Sequence, residues 1–173
     1  MNNFLPDMYV KNVFDIDYKK LKKSKIKCLI FSLDNTIAAI NESVPSKRIK
    51  ELIEYLKESG FKVIIVSNNS KKRVEPFKEQ LNVDSAFLSR KPSSKKYVKI
   101  LELYNFKAYN IAVIGNNLYA DIYGANRMEF TSILVNSLST KEAKCNKIYN
   151  IINKFVYHKL SKKGLLRKGE YYE

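Results

Sequence analysis

Apolar positions in this chain follow two rhythms. Short unbroken runs at Cys28 to Phe31, Phe61 to Val66, Ile111 to Ile114 and Ser132 to Val135 are too short for isolated helices and rich in strand-forming types. They predict strands, and the first of them reads as buried on both faces. Ala86 to Leu88 is a weaker, shorter strand, third of five in chain order. Between the runs, apolar residues recur at helical spacing. Ile49, Leu52, Ile53 and Leu56 make one stripe of a helix opened by Pro45 and Ser46 and stopped by Gly60. Val74, Phe77 and Leu81 line a helix capped from Ser67 to Ser70 and running through Gln80, with Lys71, Lys72 and Arg73 crowding its first turn. Cations there oppose the helix dipole unless an anion lies nearby; the commoner outcome is a trio of exposed charges. Pro92 fits the first turn of a helix to about Tyr104, with Tyr97, Val98, Leu101 and Tyr104 as its inner stripe, and Leu118 to Arg127 forms the next. Strands alternating with helices at short spacing predict a parallel, doubly wound α/β sheet with right-handed crossovers.

The flanks are less regular. Phe4 to Tyr18 mixes aromatic and aliphatic residues with few charges, and Asp15 to Leu21 contains a short helix. This lead-in, residues 1–24, either covers a sheet face or presses against a membrane interface alongside Lys19 to Lys23. After the core, residues 25–158, Ile148, Ile151, Ile152 and Phe155 form a helical stripe among Lys141, Lys144, Lys147 and Lys154, expected to dock on the sheet. Residues 159–173 interleave lysines and leucines as a basic tail, either a disordered arm or a contact for phospholipid headgroups. No internal repeat or linker is visible.

A chain of 173 residues, 45% hydrophobic, suits one domain with its own core. No apolar run approaches the roughly 20 residues of a membrane-spanning helix, and the first residues lack the order of a secretion signal. The expected location is cytoplasmic, with a peripheral position at the inner membrane surface as the variant that charge suggests. Cys28 and Cys145 are not expected to pair, and no Cys/His spacing suggests zinc. A single histidine, His158, argues against a His-based dyad or triad. The net charge of +15 attracts polyanions. A genome bias toward lysine would leave the same charges merely solvated, but explains poorly why Asp and Glu total only 17.

Candidate chemistry collects where the first strand ends, at Ser32, Asp34, Asn35 and Thr36, because ligands of parallel sheets bind beyond the carboxyl ends of the strands. The stretch Ile30-Phe31-Ser32-Leu33-Asp34-Asn35-Thr36-Ile37 resembles the first motif of the haloacid dehalogenase (HAD) phosphohydrolases, an apolar strand then Asp-x-Asp-x-Thr, with Ser32 in place of the first Asp. Val63 to Asn69 resembles the second motif, Arg90-Lys91-Pro92 the third, and Ile114 to Asp121 the fourth. The nearest resemblance is to the YqeG-type, IIIA-class group related to phosphatidylglycerophosphatases, over about Leu21 to Val135. It implies a HAD-like Rossmannoid sheet in the order 5-4-1-2-3. No segment is large enough to be a cap domain.

The resemblance also implies a mechanism. In such phosphatases the first motif's Asp attacks phosphorus and the resulting aspartyl-phosphate is hydrolysed, while the Asp two residues on works as acid and base. Magnesium bridges carboxylate and phosphate, held by the nucleophilic Asp, the main-chain carbonyl of the second Asp, and the fourth motif's Asp. Carried onto this chain, Ser32 holds the nucleophile position and Asp34 the acid/base position. Ser67, Asn68 and Lys91 fall at the phosphate-binding positions. Asn116 takes a magnesium-ligand position, with the Asp34 carbonyl beside it and the trailing acidic Asp121 as a further candidate. Two carboxylates are thus replaced by neutral groups, so magnesium, if used, is expected to bind weakly or not at all. The leading reading is a phosphatase-like protein, catalytically impaired or inactive, that keeps a phosphoryl ligand, with a phospholipid headgroup among the candidates. One alternative is a working magnesium-dependent phosphomonoester hydrolase of the phosphatidylglycerophosphatase-like kind. The other is a basic adaptor for a membrane or RNA on a HAD scaffold, nucleic acid being less favoured because no RNA-binding motif is visible.

Overall fold

The computed structural model describes residues 2–141 and 147–173. Cys145 and Lys144 of the sequence reading lie outside the described residues. Six parallel strands form one sheet: β1 (Met8–Val10), β2 (Cys28–Phe31), β3 (Lys62–Val66), β4 (Asp84–Ala86), β5 (Ile111–Gly115) and β6 (Thr131–Val135), in the order β1-β6-β5-β2-β3-β4. The expected five-strand order stands, extended by β1 at the edge beside β6. Among the described residues no cap domain interrupts it.

Side chains on the central strands alternate between two apolar layers, as strand geometry requires. Leu29, Phe31, Val63, Ile65, Ala112 and Ile114 face one layer, shared with α1 (Tyr18–Lys23), α2 (Lys47–Glu58) and α3 (Lys71–Leu81). Cys28, Ile30, Ile64, Val66, Ile111 and Val113 face the other, shared with α4 (Lys95–Tyr104). Each fully buried Leu, Ile or Phe contributes roughly 1.5–3 kcal/mol. Burial pushes the Cys28 thiol up to about 12, against a smaller pull from Lys62.

Local signals explain most boundaries. The Ser46 hydroxyl accepts from the Ile49 amide to start α2, and Gly60, at φ +86°, turns the chain into β3. Four details differ from the sequence reading. β4 begins two residues before the expected Ala86, because its ladder pairs Asp84 with Ile64 and Ala86 with Val66, where β3 ends. α4 starts beyond Pro92 and buries Tyr97 and Ile100, leaving Val98 exposed. The stretch after β5 is a π-helical turn, Leu118–Tyr123, followed by α5 (Gly124–Asn126), because the Asn117 carbonyl accepts from both the Asp121 and Ile122 amides. α6 (Lys147–Lys162) docks through Val156 and Leu160, while Ile148, Ile151 and Phe155 of the expected inner stripe are 71%, 69% and 57% exposed.

The flanking segments join the body. β1 packs Tyr9 into a third cluster with Leu118, Leu134, Val156, Leu160 and Leu166. Asp7 fixes its register, accepting from the Ser132 amide at 2.8 Å and hydroxyl at 3.1 Å. At the outer edge of β1, the Tyr9 amide donates to the Tyr172 carbonyl (2.7 Å) and the Tyr172 amide donates back (2.9 Å). Among the described residues no helix is long and apolar enough to cross a membrane.

Candidate functional site

Three central strands end on one side of the sheet, and their next residues are polar. Ser32 follows β2 and extends its ladder through an amide donated to the Ile114 carbonyl at 2.9 Å. The chain then turns sharply: the Leu33 carbonyl accepts from the amides of Thr36, Ile37 and Ala38, and Asn35 takes φ +60°. Asn is among the few non-glycine residues that tolerate that region. Ser67 and Asn68 follow β3, and Asn116 and Asn117 follow β5. Together with Asp34, Lys91 and Asp121 they line a cavity of about 110 Å³, walled on its far side by Asn150 and Asn153 of α6. The sequence-predicted residues Ser32, Asp34, Ser67, Asn68, Lys91, Asn116 and Asp121 therefore converge. His158 does not; it lines a neighbouring groove.

Lys91 reaches the cavity floor from the loop after β4. Asn68 brackets its backbone, accepting from the Lys91 amide at 2.7 Å and donating to its carbonyl at 3.4 Å. The Lys91 ammonium donates to the Asp121 carboxylate (2.6 Å) and the Ser32 hydroxyl (3.0 Å), with the Lys91 and Asp121 side chains only 5% and 2% exposed. An ammonium has three N–H donors, so one remains for a ligand. The other Asp121 oxygen accepts the Asn117 amide at 3.1 Å. Room for that carboxylate exists only because residue 115 is glycine: a Cβ there would lie 2.3 Å from the Asp121 carboxyl carbon. Tyr97 is buried close by, and its phenol is pushed up by burial first and by the Asp121 charge second.

Asp34 is held differently. Arg73, from the first turn of α3, donates Nε to one carboxylate oxygen at 2.9 Å, and Asn69 donates to the other at 3.1 Å. The same guanidinium donates to the Ala39 carbonyl at 3.1 Å and to the Glu42 carbonyl, tying the loop after β2 to α3. Arg73 and Asn69 were not singled out as site residues from sequence. The signal lay in the three cations at a helix N-terminus, an arrangement that calls for an anion; Asp34 is that anion.

The Asn116 amide oxygen accepts the Thr36 hydroxyl at 3.1 Å, and its nitrogen lies 3.5 Å from the Ser137 hydroxyl. Among the described residues no three His, Cys, Asp or Glu side chains converge as a metal site. α6 seals the wall with polar groups: Asn153 accepts the Leu118 amide at 2.7 Å and Asn150 accepts from the Asn117 side chain at 3.2 Å. The arrangement can hold a small anion between the Lys91 ammonium and the two serine hydroxyls, with both neighbouring carboxylates already paired to cations.

Comparison with known proteins accords with this geometry. A haloacid dehalogenase-like hydrolase family pattern matches residues 7–128. The chain is 34% identical to the probable phosphatase YqeG of Bacillus subtilis (strain 168) over 167 residues, 96% of this chain and 97% of that protein. Among solved structures it is similar to an uncharacterized protein from Listeria monocytogenes serotype 4b (TM-score 0.55, 18% identity, covering 68% of this chain and 85% of that one). It is also similar to 3-deoxy-D-manno-octulosonate 8-phosphate phosphatase from Moraxella catarrhalis, crystallised with magnesium, phosphate and KDO (TM-score 0.50, 14% identity, covering 79% and 89%). At these identities the structural likeness concerns the fold.

Proposed function

Since this chain belongs to the haloacid dehalogenase-like hydrolases, we propose that it is a YqeG-type, class IIIA member that binds a phosphoryl group without the cleavage chemistry typical of that family. The observation that carries this reading is the Lys91 ammonium, set between Ser32 and Asp121 in a wall where the resemblance of the four motifs implies carboxylates at the positions of Ser32 and Asn116. A serine hydroxyl is hardly ionised near neutral pH, and no histidine lines the cavity to activate it.

The acid/base position supports the same reading. Arg73 holds one Asp34 oxygen and Asn69 the other, so the side chain is anchored toward α3 and the loop before it rather than free to turn toward a leaving group. The donor set suits magnesium poorly. Asn116 is neutral, its amide oxygen already accepts from Thr36, and Asp121 is committed to Lys91 and the Asn117 amide. What the residues do is bind: two hydroxyls and one ammonium donate to phosphoryl oxygens, charge-assisted contacts that are the stronger kind.

A second reading, a working phosphomonoesterase, draws on the 34% identity to a probable phosphatase. Phosphate release from p-nitrophenyl phosphate in the presence of magnesium separates the two. Background release is expected; robust turnover abolished by Ser32→Ala would overturn the binding-only reading. The paired change Ser32→Asp with Asn116→Asp is expected to gain magnesium binding, read by calorimetry, before it gains rate.

A further inference from the structure

The phosphoryl cavity is too small for a whole ligand. At about 110 Å³ it accepts little more than one phosphoryl group, well below the roughly 300–1,000 Å³ of ordinary ligand pockets. The organic part of any phosphoryl ligand must therefore leave through the mouth. A groove of about 830 Å³ lies beside the cavity, and three residues, Asn116, Ser137 and Asn153, line both spaces. The groove differs in character from the cavity. Leu118, Leu134, Leu138 and Tyr157 give it an apolar floor, and Leu138 is 49% exposed. Its rim carries Lys154 and Lys168, with His158 between them in the sequence; among the described residues no Asp or Glu lines it. Among the described residues neither lysine forms an ion pair with a carboxylate.

Resting on the phosphoryl-binding reading above, we propose that this groove receives the rest of the same ligand, and that Lys154 and Lys168 bind a second anionic group on it. The ligand class is then a phosphomonoester with an apolar segment and a second phosphate or carboxylate. The three shared lining residues put the groove beside the phosphoryl cavity, where an ester substituent can reach it. The apolar floor favours a hydrocarbon segment, since burying its surface contributes roughly 25 cal/mol per Å². Two rim cations without a carboxylate among the described residues favour a second anionic group there.

The test uses the full chain and three phosphonates that cannot be hydrolysed: methylphosphonate, hexylphosphonate and hexane-1,6-diylbisphosphonate, titrated by calorimetry. The expected order is methylphosphonate weakest, hexylphosphonate tighter, and the bisphosphonate tighter again by about tenfold, the scale of one charged hydrogen bond. A Lys154→Ala/Lys168→Ala double variant, which touches nothing in the phosphoryl cavity, is expected to return the bisphosphonate to the hexylphosphonate affinity and leave methylphosphonate unchanged. A distant Lys47→Ala/Lys50→Ala double variant removes equal charge and is expected to change none of the three. If methylphosphonate binds but the longer probes gain nothing, or if the gain survives the Lys154/Lys168 change, the groove proposal is overturned and the phosphoryl site stands. If methylphosphonate itself fails to bind, the phosphoryl reading falls and takes the groove with it.

Discussion

Two carboxylates flank the cavity, each against a cation, and they are built to different ends. Asp121 and Lys91 meet at 2.6 Å with side chains 2% and 5% exposed, enclosed by Gly115, the Asn117 amide and the Ser32 hydroxyl. Asp34 and Arg73 meet at 2.9 Å nearer the rim, 7% and 15% exposed, and the guanidinium gives two further donors to loop carbonyls. The lysine used as the inner partner turns its third donor to the cavity, whereas the arginine at the outer one turns both its terminal nitrogens to fastening the loop after β2. One pair is therefore buried and still presents a donor to the cavity. The other is a brace that happens to face the cavity.

That contrast predicts a graded series. Lys91→Met should have the largest effect, because it strands the Asp121 charge in the interior. A loss of about 3–5 kcal/mol is expected in urea unfolding, together with loss of phosphate binding in calorimetry; a stability change below 1 kcal/mol would break the assignment of this pair to the interior. Arg73→Ala should cost about 1–2 kcal/mol, the scale of charge-assisted hydrogen bonds near a surface. Its mark should be faster amide exchange confined to residues 39–42, and a global rather than local loosening would contradict the brace. Lys47→Ala, which removes a pair to Glu51 at 3.8 Å between side chains 90% and 63% exposed, should shift stability by less than about 0.5 kcal/mol in the same urea experiment and so sets the floor of the comparison.

How far the chain could be read in advance follows from what each element depends on. The four longer strands were legible because apolar runs buried on both faces leave a local mark, and the convergence of Ser32, Ser67, Lys91 and Asn116 was implied by the resemblance of their motifs to a known family. β1 was not legible as a strand. Three residues, Met8 to Val10, carry little signal, and what makes them a strand is pairing with β6, far along the chain. The α6 reading failed for another reason. Periodicity assigns the apolar stripe inward, but the surface this helix covers includes a loop with amides to satisfy, so Asn150 and Asn153 turn in and Ile148, Ile151 and Phe155 turn out. Arg73 was hidden among three cations in a row, which sequence alone could not rank.

The seam between Tyr9 and Tyr172 has a consequence for how copies of this molecule meet. An open sheet normally offers a bare border on which a second chain can lay a strand and keep going. Here the outward groups of the central β1 residue are already answered by the tail, and on the opposite border β4 is three residues long, with Asp84 held by Lys62 and Tyr104. Growth by strand addition is discouraged at both borders, and the fold achieves this without closing into a barrel.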